Sequence, residues 1–206
     1  MIGVLEKGRA NVKFIAHSHG GHASIPFRHN PFARLARLIN KVESRPPFKA
    51  RLTKPVVEMY KAMAPYMPFK YRFLLGNVWL LKPVMPFFMK KMGGQPAALV
   101  STTCVFTMAE GSRGANVIPE TASATANMRF MVHEPLEASL KKMLKLADKN
   151  DIWMEMITGY DIPPAADTTC PAYKKVVRQV ENTFGRIPVI PYVMLAGTDA
   201  RHYTKI

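Results

Sequence analysis

Three stretches place side chains where they could act on a bound molecule. In Gly20-Gly21-His22-Ala23-Ser24 a histidine follows two glycines. Such a residue belongs on a loop at a strand end, where backbone can come close to a ligand. Its imidazole can donate a hydrogen bond to a developing oxyanion or move a proton near neutral pH. It can equally be a turn residue without a role. His17 and His19 are close by, but no carboxylate or cysteine stands at ligand spacing with them. Strand alternation puts both on the face opposite Phe14, so they read as surface residues.

The second stretch is Gly114-Ala115-Asn116-Val117-Ile118-Pro119, followed by Arg129. Asn116 falls at a turn between two strands and Arg129 within the second. An amide and a guanidinium converging on one cleft would suit a substrate carboxylate, which arginine grips in a bidentate fork. The plainer readings are turn chemistry for Asn116 and a solvated strand face for Arg129. The third stretch is Gly197-Thr198-Asp199-Ala200-Arg201, a strand-to-loop transition of the kind that carries site residues in α/β layers. Thr198 and Asp199 could equally cap a helix.

These stretches need elements to hold them. Asn11 to His19 alternates as a strand and is broken by Gly20 and Gly21. Asn30-Pro31 opens a helix whose apolar positions are Phe32, Leu35, Ala36, Leu38, Ile39 and Val42, ending before Arg45-Pro46-Pro47. Residues 46–97 are rich in Pro, Met, Phe and Tyr, and prolines at 55, 65, 68, 83 and 86 break them into short helices. Their aromatic density suits a dimer surface, an acyl-chain groove or plain core. Leu99 to Met108 and 121–132 read as a hairpin-like strand pair. Glu134 to Lys149 is an amphipathic helix with Leu136, Leu140, Met143, Leu144 and Ala147 on its apolar face. Ile152 to Ile157 is the last strand of a β-α-(insertion)-β-β-α-β unit, a ferredoxin-like arrangement. A helix over 171–184 and a strand from Ile187 to Leu195 follow. With residues 1–10 they look like edges of a second, α/β layer.

Composition narrows the function. With 48% hydrophobic and 21% charged residues, the 206-residue chain reads as globular. The charge of +15 comes from 29 basic residues against 14 acids. The basic residues are scattered, with no block of five or six, so a nucleic-acid partner is not expected. No apolar run approaches the roughly 20 residues of a membrane span, and no membrane partner is expected. Glu6, Lys7 and Arg9 stand where a signal peptide would need apolar residues, which points weakly to a cytoplasmic setting. Cys104 and Cys170 form no ligand or disulfide framework.

Taken in order, the landmarks resemble one family: EKG at 6–8, GGHASIP at 20–26, NPFARLARLINKVES at 30–44, NVWLLKPVMPFFM at 77–89, STTCVFTM at 101–108, GANVIPETASATANMRF at 114–130 and GTDARHY at 197–203. The chain is similar to the dinuclear zinc peptidases and amidohydrolases that include carboxypeptidase S, Gly-Xaa carboxypeptidase and aminoacylase. The resemblance implies an α+β chain: 1–10 closes the first half of a catalytic domain, 11–160 is a lid and dimerisation domain with its helical insertion at 46–97, and 161–206 begins the second half. It implies a homodimer acting on a peptide or N-acyl amino acid. His22 would reach into the partner's site and stabilise the oxyanion. Asn116 and Arg129 would hold the substrate's carboxylate or backbone, and Thr198, Asp199 and Arg201 would line the same cleft. Two zinc ions belong to the intact family enzyme, held by a His-x-Asp, a bridging Asp, a Glu-Glu pair, a further acid and a late His. No His-x-Asp or Glu-Glu occurs here. The chain is therefore expected to bind no metal and to act as a fragment of the hydrolase, inactive alone. The alternative is a non-catalytic dimerisation or binding module derived from that family.

Overall fold

Alternating apolar and polar residues make β2 (Gly8–His17) the spine of the main sheet, with Ala10, Val12, Phe14 and Ala16 fully buried. The computed structural model describes residues 1–185 and 187–203. β2 lies between β6 (Thr121–Phe130) and β7 (Trp153–Tyr160), and β4 (Thr103–Glu110) pairs with the outer side of β6. All three ladders are antiparallel. Two helices, α1 (Pro31–Ser44) and α7 (Leu136–Asp148), cover one face. Their side chains Leu38, Val42 and Met143 meet Phe14, Met128 and Phe130 in a first core. The chain is thus α+β, and the strand order β4-β6-β2-β7 is that of a ferredoxin-like unit.

α1 starts where Asn30 accepts a hydrogen bond from the Ala33 N–H at 2.9 Å. Its buried stripe differs from the sequence expectation at three places. Phe32 and Ala36 are exposed, and Arg34 is buried. The two Nη groups of Arg34 donate there to the Asp151 carboxylate and to the carbonyls of Asp151 and His17, while its Nε is buried without a partner; the bonds tie α1 to the ends of β2 and β7. In α7, Leu144 is exposed and Ser139 is buried, because the Ser139 hydroxyl donates to the Glu134 carbonyl at 2.9 Å.

The insertion forms α2 (Lys54–Met63), a 3₁₀ turn, α3 (Phe69–Gly76), α4 (Val78–Leu81), α5 (Met85–Met92) and α6 (Gly94–Val100). Leu99 and Val100 end α6 instead of opening the strand, which begins at Thr103. Buried residues of these helices, among them Val56, Met59, Val78 and Leu99, do not join the first core. They pack with Leu5 of β1 (Ile2–Glu6) and Val193 of β8 (Pro191–Met194), two strands that pair in parallel. β8 is shorter than the expected 187–195 strand. α8 (Pro171–Phe184) lies between the main sheet and β8 in sequence.

Lys7 joins the two cores. Only 1% exposed, its ammonium donates to the Ala98 and Ser101 carbonyls at 2.9 Å each, groups that the end of α6 leaves without helical partners. Burial first, and the Arg129 charge second, push its pKa from 10.5 down to about 7. Between these values the unfolded chain binds more protons than the folded one. This group therefore makes stability rise with pH from about 7 to about 10, by up to about 1.4 kcal/mol per unit, while below about 7 the full burial penalty is present. The neutral amine still supplies a proton to each carbonyl. In urea unfolding, the stability of the wild type minus that of Lys7→Met should grow by more than about 1 kcal/mol between about pH 7 and pH 9. A difference that stays flat with pH would contradict this account.

Candidate functional site

The chain leaves β2 through a built turn. Ser18 N–H donates to the Glu120 carbonyl at 2.7 Å, and the Ser18 hydroxyl bridges the Pro119 carbonyl and the Gly20 N–H. Gly20 has φ +67°, and a Cβ there would meet Glu120 Cγ at 2.8 Å. Only glycine enters this turn without strain. The next two residues, β3 (Gly21–His22), pair with β5 (Val117–Ile118). This short ladder sets His22 opposite Val117 and next to Asn116.

His22 is exposed and its ring is oriented from both sides. Nδ1 accepts the Ser24 backbone N–H at 3.2 Å and lies 2.7 Å from Ser24 Oγ. Because an N–H only donates, the neutral ring carries its proton on Nε2. The Asn116 amide stands 3.5 Å from Nε2. The atom facing Nε2 is the amide nitrogen Nδ2, so a ring protonated on Nε2 requires the Asn116 amide turned with its oxygen inward, an exchange of O and N only. The exposed ring is thus held by Ser24 at Nδ1 and has Asn116 beside Nε2.

Arg129 is elsewhere. It lies near the other end of β6, paired with Arg9 and Thr103. The eight residue steps of extended strand from Thr121 to Arg129 span about 27 Å, so Asn116 and Arg129 do not meet within one chain. Arg129 Nε donates to Asn127 Oδ1 at 3.0 Å, Asn127 Nδ2 donates to Asn11 Oδ1 at 2.7 Å, and Asn11 Nδ2 donates to Thr158 Oγ1 at 3.2 Å. This row fixes the guanidinium on the sheet face that no helix covers.

The third stretch is at the Arg129 end. Thr198 caps a 3₁₀ turn, Asp199–His202, by accepting the Ala200 N–H at 3.2 Å. Its own N–H and hydroxyl both donate to the buried Glu6 carboxylate. With the Thr198 hydroxyl so engaged, Asp199 is the exposed acid of the turn. Tyr160 occupies the space that a Cβ on Gly197 would need, and the Arg201 guanidinium lies over the Tyr160 ring, 4.3 Å from its centre. A cleft of about 510 Å³ opens here, lined by Leu5, Glu6, Met194, Thr198 and Arg201 among others. Glu6 and Lys7, which organise this end, were legible in the sequence only as two charges directly after Val4-Leu5.

His17 and His19 are exposed surface residues. His17 Nδ1 lies 3.1 Å from Thr121 Oγ1, and His19 packs on the Phe27 ring. Burial pushes the Cys104 thiol up to about 12, too high for a thiolate nucleophile at neutral pH. Among the described residues no three His, Cys, Asp or Glu side chains gather as a metal cradle.

Residues 4–155 match the model of the peptidase dimerisation domain of M20 peptidases. The chain belongs to the M20 peptidase dimerisation-domain family. It is 29% identical over 209 residues to "Probable carboxypeptidase S-like 2" of Dictyostelium discoideum, covering all of this chain and 39% of that protein. It is 28% identical over 211 residues to "N-fatty-acyl-amino acid synthase/hydrolase PM20D1.1" of Danio rerio, covering all of this chain and 40% of that protein. The chain thus spans about two fifths of the length of these curated relatives. Its fold is similar to that of human carnosine dipeptidase 1, with TM-score 0.60 and 15% identity over 92% of this chain and 44% of the other. An M20 family metallo-carboxypeptidase of Sulfolobus solfataricus aligns with TM-score 0.56 and 16% identity over 95% of this chain and 53% of that one. The M20 family implies zinc, but the described residues of this M20 domain do not offer it a ligand set.

Gly20→Ala should destabilise the domain by roughly 1–2 kcal/mol, since it combines a positive φ with a clash against Glu120. Chemical unfolding measures this directly, and an unchanged midpoint would show that the His22 turn is not so constrained.

Proposed function

We propose that this chain is the lid, dimer contact and part of the substrate cleft of a zinc-dependent amidohydrolase or carboxypeptidase. The reaction is cleavage of an amide next to a free carboxylate, either a C-terminal peptide bond or an N-acyl amino acid. One observation supports the reading: the His22 imidazole, with Asn116 beside it, stands at one end of the sheet, and the Arg129 guanidinium stands near the other. A single copy cannot apply both to one small substrate. A homodimer can, with His22 and Asn116 reaching from one copy to the Arg129 end of its partner. The printed names of the relatives, a carboxypeptidase and an N-fatty-acyl-amino acid hydrolase, support the choice of substrate class.

In this reading each residue has one task. The His22 Nε2–H donates to the carbonyl oxygen as negative charge develops on it, and Asn116 holds the ring when no substrate is present. Arg129, with Nε already given to Asn127, grips the substrate carboxylate through its two Nη groups. Lys7 beside it adds positive field, and the carboxylate relieves part of the Lys7–Arg129 repulsion. Asp199 and Arg201 line the cleft from the turn that Glu6 holds through Thr198. Zinc would supply the polarisation and the activated water of amide hydrolysis. No zinc ligand is assigned to this chain, and the chain alone is proposed to be inactive.

In an active enzyme that carries this segment, His22→Ala should lower kcat by about 10²–10³, with little change in KM. Mixing His22→Ala with Arg129→Ala subunits separates the two geometries. If the site is shared, each mixed dimer keeps one intact site, and random mixing restores about a quarter of wild-type activity. Failure to recover activity, with mixed dimers demonstrated, would refute a site shared between copies.

A further inference from the structure

Between Tyr66 and Met92 the insertion leaves most of its apolar side chains exposed. From Tyr66 to Met92 the sequence contains five Lys or Arg and no Asp or Glu. The inner sides of the helices are narrow: only Leu75 in α3, Val78 in α4, and Pro86 with Met89 in α5 are buried. The opposite sides carry Phe69, Phe73, Trp79, Phe87, Phe88 and Met92. Phe69 is 82% exposed and Trp79 66% exposed. Phe69 and Phe73 stand one turn apart on α3, as do Phe88 and Met92 on α5, and the Phe87 and Phe88 rings meet edge to face at 5.8 Å. Lys70, Arg72, Lys82 and Lys91 are exposed among them.

We infer that this face is a docking surface for an anionic lipid bilayer. A dense set of exposed apolar and aromatic side chains on neighbouring short helices marks an interaction site. Trp and Phe interleaved with Lys and Arg, with acids absent, are the composition of elements that rest in a membrane interface. Each basic residue near an anionic leaflet adds electrostatic attraction. The same charge argues against a second copy as occupant, because this face laid on itself opposes cation to cation. No helix among the described residues is long and apolar enough to cross a membrane, and none is needed, because short helices can lie in the interface. The expectation of no membrane partner rested on the lack of a spanning segment and did not weigh this surface. The inference does not depend on the hydrolase reading.

The test uses vesicles of phosphatidylcholine with about 30% phosphatidylserine, against pure phosphatidylcholine. In a Trp153→Phe background Trp79 is the one remaining tryptophan. The chain should float with the anionic vesicles, shift Trp79 emission to the blue, and release as salt rises from about 0.1 to 0.5 M. The exposed pair Phe87→Ser and Phe88→Ser should weaken binding at least tenfold while circular dichroism stays unchanged. Failure to bind, binding without a Trp79 shift, or binding indifferent to the Phe87 and Phe88 replacements would each overturn the proposal. So would burial of Trp79 by self-association or by another polypeptide when no lipid is present.

Discussion

Two adjacent charged residues at the end of β1 hold the molecule's parts in register. Glu6 turns to one side and takes both donors of Thr198. Lys7 turns to the other and caps the carbonyls at the end of α6. Both are buried, and a buried charge is tolerated only when its hydrogen-bonding capacity is met. Moving either the β8 turn or the insertion away from β1 would therefore strand an ionisable group. Lys7 meets this constraint partly by ceasing to be strongly basic, as its lowered pKa shows. The turn with Asp199 and Arg201 inherits its position from this pair and from Tyr160 beneath it.

The second constraint is length. A ten-residue antiparallel ladder between β2 and β6 is rigid and buries one full face. It carries the His22 loop at one end and Arg129 at the other, so the two groups cannot approach by any small motion. Whatever uses both must bring two copies together or use the ends separately. The orientation at each end suits a preorganised site. Ser24 and Asn116 fix the His22 ring, and Asn127 and Asn11 fix the Arg129 stem, so little rotamer freedom is left to lose on binding.

The insertion is packed differently from the four-stranded sheet and its two helices. The four-stranded sheet buries a complete face, whereas α2, α4, α5 and α6 each contribute one or two buried side chains to the second core. Proline at the first turns of α2 and α5 sets where these helices begin. Their outward residues are more apolar than a solvated surface requires, and their charge is of one sign. That combination separates the insertion from the mixed-charge outer faces of α1 and α7.

Periodicity and punctuation were enough to fix the local elements. Asn30-Pro31 starts α1, Gly20 ends β2's run, and the alternation of β2 and β6 gives the main sheet its buried face. These signals are carried by neighbouring residues and act through the backbone. The candidate residues His22, Asn116, Arg129 and the 198–201 turn could be named from motif and resemblance. Their distances could not, since strand pairing joins positions about a hundred residues apart. Sequence spacing of thirteen made Asn116 and Arg129 look like partners, while the extended strand made them distant. Burial of Arg34 and Lys7 was likewise undecided in the sequence, because each is accepted inside only by acceptors from other segments of the chain. The chain's own order of residues determined which helices and strands form. Tertiary structure decided which polar groups could be buried and which site residues share one end of the sheet, because both depend on long-range hydrogen bonds that local pattern does not encode.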